Sequence, residues 1–249
     1  MSPPMMAARR LPHVIVLLVC VLVPRTGQAQ ATATPAAAPL DLAQWEADIR
    51  AFEEADRHTT PPREGVLLVG SSSMRLWKSA AEDFPGLPVL NRGFGGSQVR
   101  EVTAFADRIV VPYRPRVILF YCGSNDVFGG RPVSAVATDT EAFIRWVHAA
   151  LPATRIIYIS MAPNPARWHL KSTWLELNAR MKAIAATDPQ VTFVDVWSAM
   201  LDAAGQPRPE LFVEDRLHMN EQGYAIWARI LRPVVEREFA AVAQPAPAR

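Results

Sequence analysis

Five short, continuously apolar runs alternate along this chain with segments whose apolar residues recur at helical spacing, and that alternation leaves few folds open. The runs are Val66–Val69, Leu87–Leu90, Val117–Tyr121, Ile156–Ser160 and Val191–Val194. Unbroken apolarity suits strands buried on both faces of a parallel sheet. Between the runs lie one stripe of Val99, Val102, Phe105 and Ile109, a second of Phe143, Val147 and Ala150, and a third of Leu170, Trp174, Leu177, Met181 and Ile184. Their three- and four-residue spacing predicts helices. Ahead of the first run, Leu42, Trp45, Ile49 and Phe52 mark a helix capped by Asp41 and stopped at Thr59 to Pro62. A last helix is expected from about Asn220 to Phe239, with Trp227, Ile230 and Leu231 facing inward. Five such β-α units predict an α/β domain with an open five-stranded parallel sheet covered by helices on both faces. Ligands in such sheets bind beyond the carboxyl ends of the strands.

The N-terminal 29 residues follow a different pattern. Arg9 and Arg10 precede an apolar run from Val14 to Val23, and Gly27-Gln28-Ala29 offers small residues where a signal peptidase reads them. Residues 1–29 are therefore expected to be a secretory signal peptide, with the mature protein periplasmic or secreted. The ten apolar residues of that run fall short of the roughly 20 that span a bilayer, so no membrane span is expected in the mature chain. Residues 30–40 read as an Ala/Thr/Pro-rich linker, and residues 41–249 as a single domain. Cleavage would remove Arg9, Arg10 and Arg25 but no acid, leaving 23 basic against 24 acidic residues, a net −1. No Lys/Arg cluster remains to follow a phosphate backbone, so nucleic acid is not an expected partner. Cys122 would be the one remaining thiol; at the end of an apolar run it reads as buried and inert.

Four segments carry residues suited to acyl transfer. Gly70-Ser71-Ser72-Ser73 follows the first strand, and a serine at that turn, where a helix starts, has amides and a helix dipole to stabilise an alkoxide. Asn91-Arg92-Gly93-Phe94-Gly95-Gly96 follows the second strand, where glycine lets a backbone N–H approach a ligand closely. Gln98 stands where a dinucleotide fingerprint would need glycine, which excludes that reading. Gly123-Ser124-Asn125-Asp126 follows the third strand, and the Asn125 amide is a candidate oxyanion donor. Asp215 and His218, three residues apart, can share one side of a helical or turn-like loop, the carboxylate fixing the imidazole tautomer while the other nitrogen takes a serine proton. Individually these segments also read as a helix cap, two turns and a surface pair; jointly they equip a serine esterase. His58, His148 and His169 show no paired metal-ligand spacing, and neither a metal nor a cofactor is expected.

Together the segments resemble the SGNH hydrolase (GDSL esterase/lipase) superfamily, whose four blocks contribute Ser, Gly, Asn and His. The resemblance spans about Gly65 to Glu238 and implies a three-layer αβα, flavodoxin-like sandwich. It further implies Ser72 as nucleophile, Gly96 and Asn125 as oxyanion donors, and Asp215 and His218 as the remaining pair. Ser71 replaces the aspartate usual before the nucleophile, so Ser71 and Ser73 are the alternative hydroxyls. The implied activity is hydrolysis of carboxylic esters of small molecules or glycans, including carbohydrate O-acetyl groups. Short segments between the blocks, with no long apolar insertion to form a lid, favour short acyl groups. A lysophospholipase or thioesterase is the alternative within this class, and a non-catalytic glycan-binding module is the alternative outside it. Trp168, in the Pro163-to-His169 loop, is read as a packing residue rather than a wall of the cleft.

Overall fold

The computed structural model describes residue 1 and residues 40–243. The expected signal peptide except Met1, and all of the expected linker except Leu40, lie outside the described residues. Each apolar run forms a strand: β1 (Val66–Gly70), β2 (Val89–Asn91), β3 (Val117–Tyr121), β4 (Arg155–Ile159) and β5 (Val191–Val194). They form one parallel sheet in the order β2-β1-β3-β4-β5, with Leu67 between Leu90 and Ile118. The chain's direction of travel across the sheet reverses between β1 and β3, which opens a crevice at their carboxyl ends.

Unbroken burial holds for β1 and β3, holds in β4 after Arg155, and fails at the edges. Every residue of β1 and β3 is buried, whereas β2 is half-buried and β5 buries only Val191 and Val194. An edge strand has a neighbour on one side only, so its apolar run need not be sealed. The second run also pairs late. Pro88 has no N–H to offer a ladder, and its carbonyl accepts from Val66 at 2.8 Å just before β2 begins.

The helices, in chain order, are α1 (Ala43–His58), α2 (Ser72–Arg75), α3 (Ala80–Asp83), α4 (Val99–Ala104), α5 (Ala106–Ile109), α6 (Ser124–Phe128), α7 (Val133–Ala150), α8 (Lys171–Thr187) and α9 (Glu221–Ala243). Helices α4, α7 and α8 pack side by side, while α9 packs on α3 and against β3 and β4. The single helix expected from Val99 to Ile109 is broken. Phe105 leaves helical geometry at φ −94° and ψ 1° between α4 and α5, its ring edge-on to Phe94 at 5.8 Å. Asp41 caps α1 from one residue further out than expected, accepting from the Ala43 N–H at 3.1 Å with Leu42 between them. Trp77, Trp174, Trp227, Phe94 and Phe120 are fully buried in the core. Cys122 is buried as well, and burial pushes its thiol well above the ordinary value, as an inert thiol requires.

Candidate active site

Gly70 closes β1 at φ +144°, and a Cβ there would stand 2.0 Å from the Tyr121 carbonyl oxygen. Glycine alone permits that approach. It lets the Ser71 N–H donate to Tyr121 O at 3.2 Å as the chain turns out of the sheet. Ser72 then opens α2, so its N–H has no acceptor within the helix. Among the three serines, Ser72 alone meets a histidine, its Oγ 2.9 Å from His218 Nε2. Ser71 is buried, and the Ser73 carbonyl accepts from the Tyr224 hydroxyl at 2.8 Å.

Asp215 and His218 sit on a turn rather than a helix, because Arg216 between them is left-handed at φ +58°. Asp215 Oδ1 accepts the backbone N–H groups of Leu217 and His218, both at 2.9 Å, and Oδ2 lies 2.6 Å from His218 Nδ1. Burial raises the Asp215 carboxyl, but the N–H of His218, its imidazole and the N–H of Leu217 outweigh that and hold it below its ordinary range. A carboxylate at Nδ1 keeps that nitrogen's proton engaged, which leaves Nε2 as the acceptor facing Ser72. The Arg216 carbonyl accepts from the Ala166 N–H at 3.1 Å, tying this turn to the loop after β4.

Gly96 is left-handed at φ +78°, a Cβ there would project into open space, and its N–H has no partner among the described residues. Asn125, in α6, is held at both ends of its amide. Nδ2 donates to Ser97 O at 3.1 Å, and Oδ1 accepts from Arg167 Nη1 at 3.0 Å. One Nδ2 proton stays free. Asp126 provides a tie between α6 and the start of α4, accepting the Val99 N–H at 3.2 Å while paired with Arg131 at 2.7 Å. Burial pushes the Asp126 carboxyl up to about 6, against the opposing pull of Arg131.

Ser72, Asn125, Arg167 and His218 separate two spaces of different size. On one side is a narrow, partly open cavity of ≈ 20 Å³ lined also by Tyr121, Ala162, Phe212 and Trp227. On the other is an open cleft of ≈ 380 Å³ that also reaches Gly95, Gly96, Arg75 and Asp48. Ser72, Gly96, Asn125 and His218 thus share one cleft, with Asp215 behind His218. Sequence reasoning missed Arg167. The signal available was its place in the loop following β4, on the carboxyl side of the sheet. The same loop's Trp168 packs as expected, stacked on Trp197 at 5.7 Å with Lys171 Nζ 4.9 Å above its ring. Among the described residues no three His, Cys, Asp or Glu side chains gather as a metal site, and no helix is long and apolar enough to cross a membrane.

Residues 64–226 match the model of the GDSL-like Lipase/Acylhydrolase family. No curated protein matches the chain by sequence. Among solved structures, a provisionally named platelet activating factor from Streptococcus pneumonia superposes with a TM-score of 0.68 at 24% identity, over 78% of this chain and 94% of that one. A GDSL-like lipase from Bacteroides thetaiotaomicron gives 0.66 at 19% identity, over 77% and 98%. A family 3 carbohydrate esterase from Clostridium thermocellum gives 0.60 at 17% identity, over 72% and 98%. At these identities the shared property is the fold, a five-stranded parallel sheet between helices.

Proposed function

This chain belongs to the GDSL-like lipase/acylhydrolase family, and from that premise we propose that it is a serine esterase removing short acyl groups, acetyl foremost, from small-molecule or carbohydrate alcohols. The observation that carries the reading is the relay from Ser72 Oγ to His218 Nε2 at 2.9 Å and from His218 Nδ1 to Asp215 at 2.6 Å. Ser72 Oγ attacks the ester carbonyl carbon as its proton passes to Nε2. Asp215, held ionised, stabilises the imidazolium. The charge that develops on the carbonyl oxygen meets the free Nδ2 proton of Asn125 and the unpartnered N–H groups of Gly96 and Ser72. Collapse expels the alcohol, which takes the proton from His218 and leaves acyl-Ser72. Water then attacks by the same route, releasing the acid and restoring the serine.

The narrow cavity of ≈ 20 Å³ supports the short-acyl part of the reading, since about that much space holds one water-sized group. A longer acyl chain stays in water and forgoes about 0.8 kcal/mol per methylene that burial would contribute. The alcohol is assigned to the open cleft. The Clostridium thermocellum relative, a carbohydrate esterase, keeps carbohydrate alcohols among the substrates to screen. Export belongs to the same proposal, supported by the pattern of residues 1–29; a secreted or periplasmic form beginning at Gln30 is the expected product.

A p-nitrophenyl ester series from acetate to dodecanoate tests the reading. Activity should be highest at acetate and show no rise at the onset of micelles. A steady climb in kcat/KM toward dodecanoate would mean a deep acyl groove and favour the lysophospholipase alternative. Ser72→Ala should abolish both turnover and labelling by a fluorophosphonate, whereas an adduct found on Ser71 or Ser73 would overturn the assignment of the nucleophile.

A further inference from the structure

Arg167 lines the same cleft as Ser72, with no opposite charge to meet it among the described residues. Nη1 is committed to Asn125 Oδ1 at 3.0 Å and reaches Ser124 Oγ at 3.4 Å, and the guanidinium carbon lies 4.0 Å above the Phe128 ring. These contacts fix the guanidinium from one edge and one face. Nε and Nη2 have no hydrogen-bond partner among the described residues, and no carboxylate there comes within ion-pair distance. The side chain is half-buried, and burial pulls its guanidinium below the ordinary value. Withdrawing a cation from water with no counter-charge is unfavourable. The fold nevertheless holds this one against Asn125, Ser124 and Phe128, with Nε and Nη2 unused among the described residues.

The surrounding charges do not offset it. Arg75, exposed on another wall of the open cleft, also forms no ion pair among the described residues. Asp48 is exposed on the same cleft and pairs with neither arginine, and Asp215 is engaged by His218 and two backbone N–H groups.

We propose that the open cleft accepts esters whose alcohol part carries an anionic oxygen group, a carboxylate in the simplest case, clasped by the free Nε and Nη2 of Arg167. A guanidinium presents two parallel N–H donors that match the two oxygens of such a group. The anion falls on the alcohol because the ≈ 20 Å³ acyl cavity has no space for a charged substituent beyond acetyl. The inference rests on the esterase reading and names the substrate class for it.

A matched pair of acetates tests it: 4-acetoxybenzoate, which is anionic, and its neutral methyl ester, each rate divided by that ester's rate with hydroxide. A hydrogen-bonded charge of this kind corresponds to about 10- to 100-fold, so wild-type kcat/KM should favour the carboxylate by that factor. The preference should shrink as salt rises. Arg167→Met should bring the ratio to about one, whatever it does to both rates through Asn125, and Arg167→Lys should keep part of it. Turnover of the methyl ester with no preference for the carboxylate overturns the inference and leaves the esterase reading standing. Failure to turn over either ester overturns both. A preference that survives Arg167→Met also overturns it, by placing the anion elsewhere. If the methionine variant does not fold, the wild-type ratio, its salt dependence and the lysine variant decide the matter.

Discussion

With a neutral ester as substrate, replacing Arg167 by methionine should lower kcat only while Asn125 is present. The Asn125 amide has one free proton to offer an oxyanion, because its other Nδ2 proton goes to Ser97 O at 3.1 Å and its Oδ1 to Arg167 at 3.0 Å. Asn125→Ala removes that donor and should lower kcat by roughly 10²–10³, about 2.7–4 kcal/mol of transition-state stabilisation. Arg167→Met leaves the donor in place but releases the amide's other end. A hydrogen bond to a charged group contributes about 1.5–3 kcal/mol, so the upper bound on this loss is roughly 10- to 100-fold. In an Asn125→Ala background Oδ1 is gone, and Arg167→Met should cost nothing further. The coupling energy should therefore equal the whole Arg167 effect rather than zero. The assay is kcat and KM for p-nitrophenyl acetate, a neutral ester, across the four proteins. KM should change little, since the donor acts as charge develops. If the two losses add to within about 0.5 kcal/mol, Arg167 does not act through Asn125.

Three further outcomes follow from the same geometry. Asp215→Asn should lower kcat strongly without unfolding the protein, because an amide at Nδ1 no longer fixes the imidazole; undiminished activity would make Asp215 a bystander. Gly96→Val should be inactive yet folded, since φ +78° disfavours a branched side chain, nothing lies close enough to clash with its Cβ, and Gly96 itself lines the cleft; retained activity would remove Gly96 from the oxyanion site. Asp126, its carboxyl raised to about 6 by burial against the pull of Arg131, binds its proton in the folded state before the unfolded chain does. Its contribution to stability should fall as pH rises through that value and recover as pH drops toward the ordinary carboxylate range. Asp126→Asn should flatten this part of the dependence of Tm on pH between about pH 4 and 6, the span from the ordinary to the raised value, and an unchanged slope would show that another group titrates.

Nearest-neighbour patterns along the chain determined the architecture and much of the site. Runs such as Val117–Tyr121 can be sealed only as inner strands, and the intervening stripes can bury their apolar side only as helices. Asp215 and His218 are legible as a pair because three residues of turn bring them together without help from the rest of the fold. Only the family resemblance pointed to which serine meets that histidine: Ser72 and His218 are 146 residues apart, and the choice among Ser71, Ser72 and Ser73 depends on how Gly70 packs against Tyr121. Arg167 reaches Asn125 across 42 residues, from a loop whose composition suggests only a turn. The break at Phe105, the half-exposed edge strands and the narrowness of the cavity beside Ser72 likewise depend on what lies opposite in space. Periodicity and turn chemistry act over a few residues and can be read in order along a chain. The meeting of distant side chains, and the size of the space left between them, arise only when the sheet has assembled and its loops converge at one end.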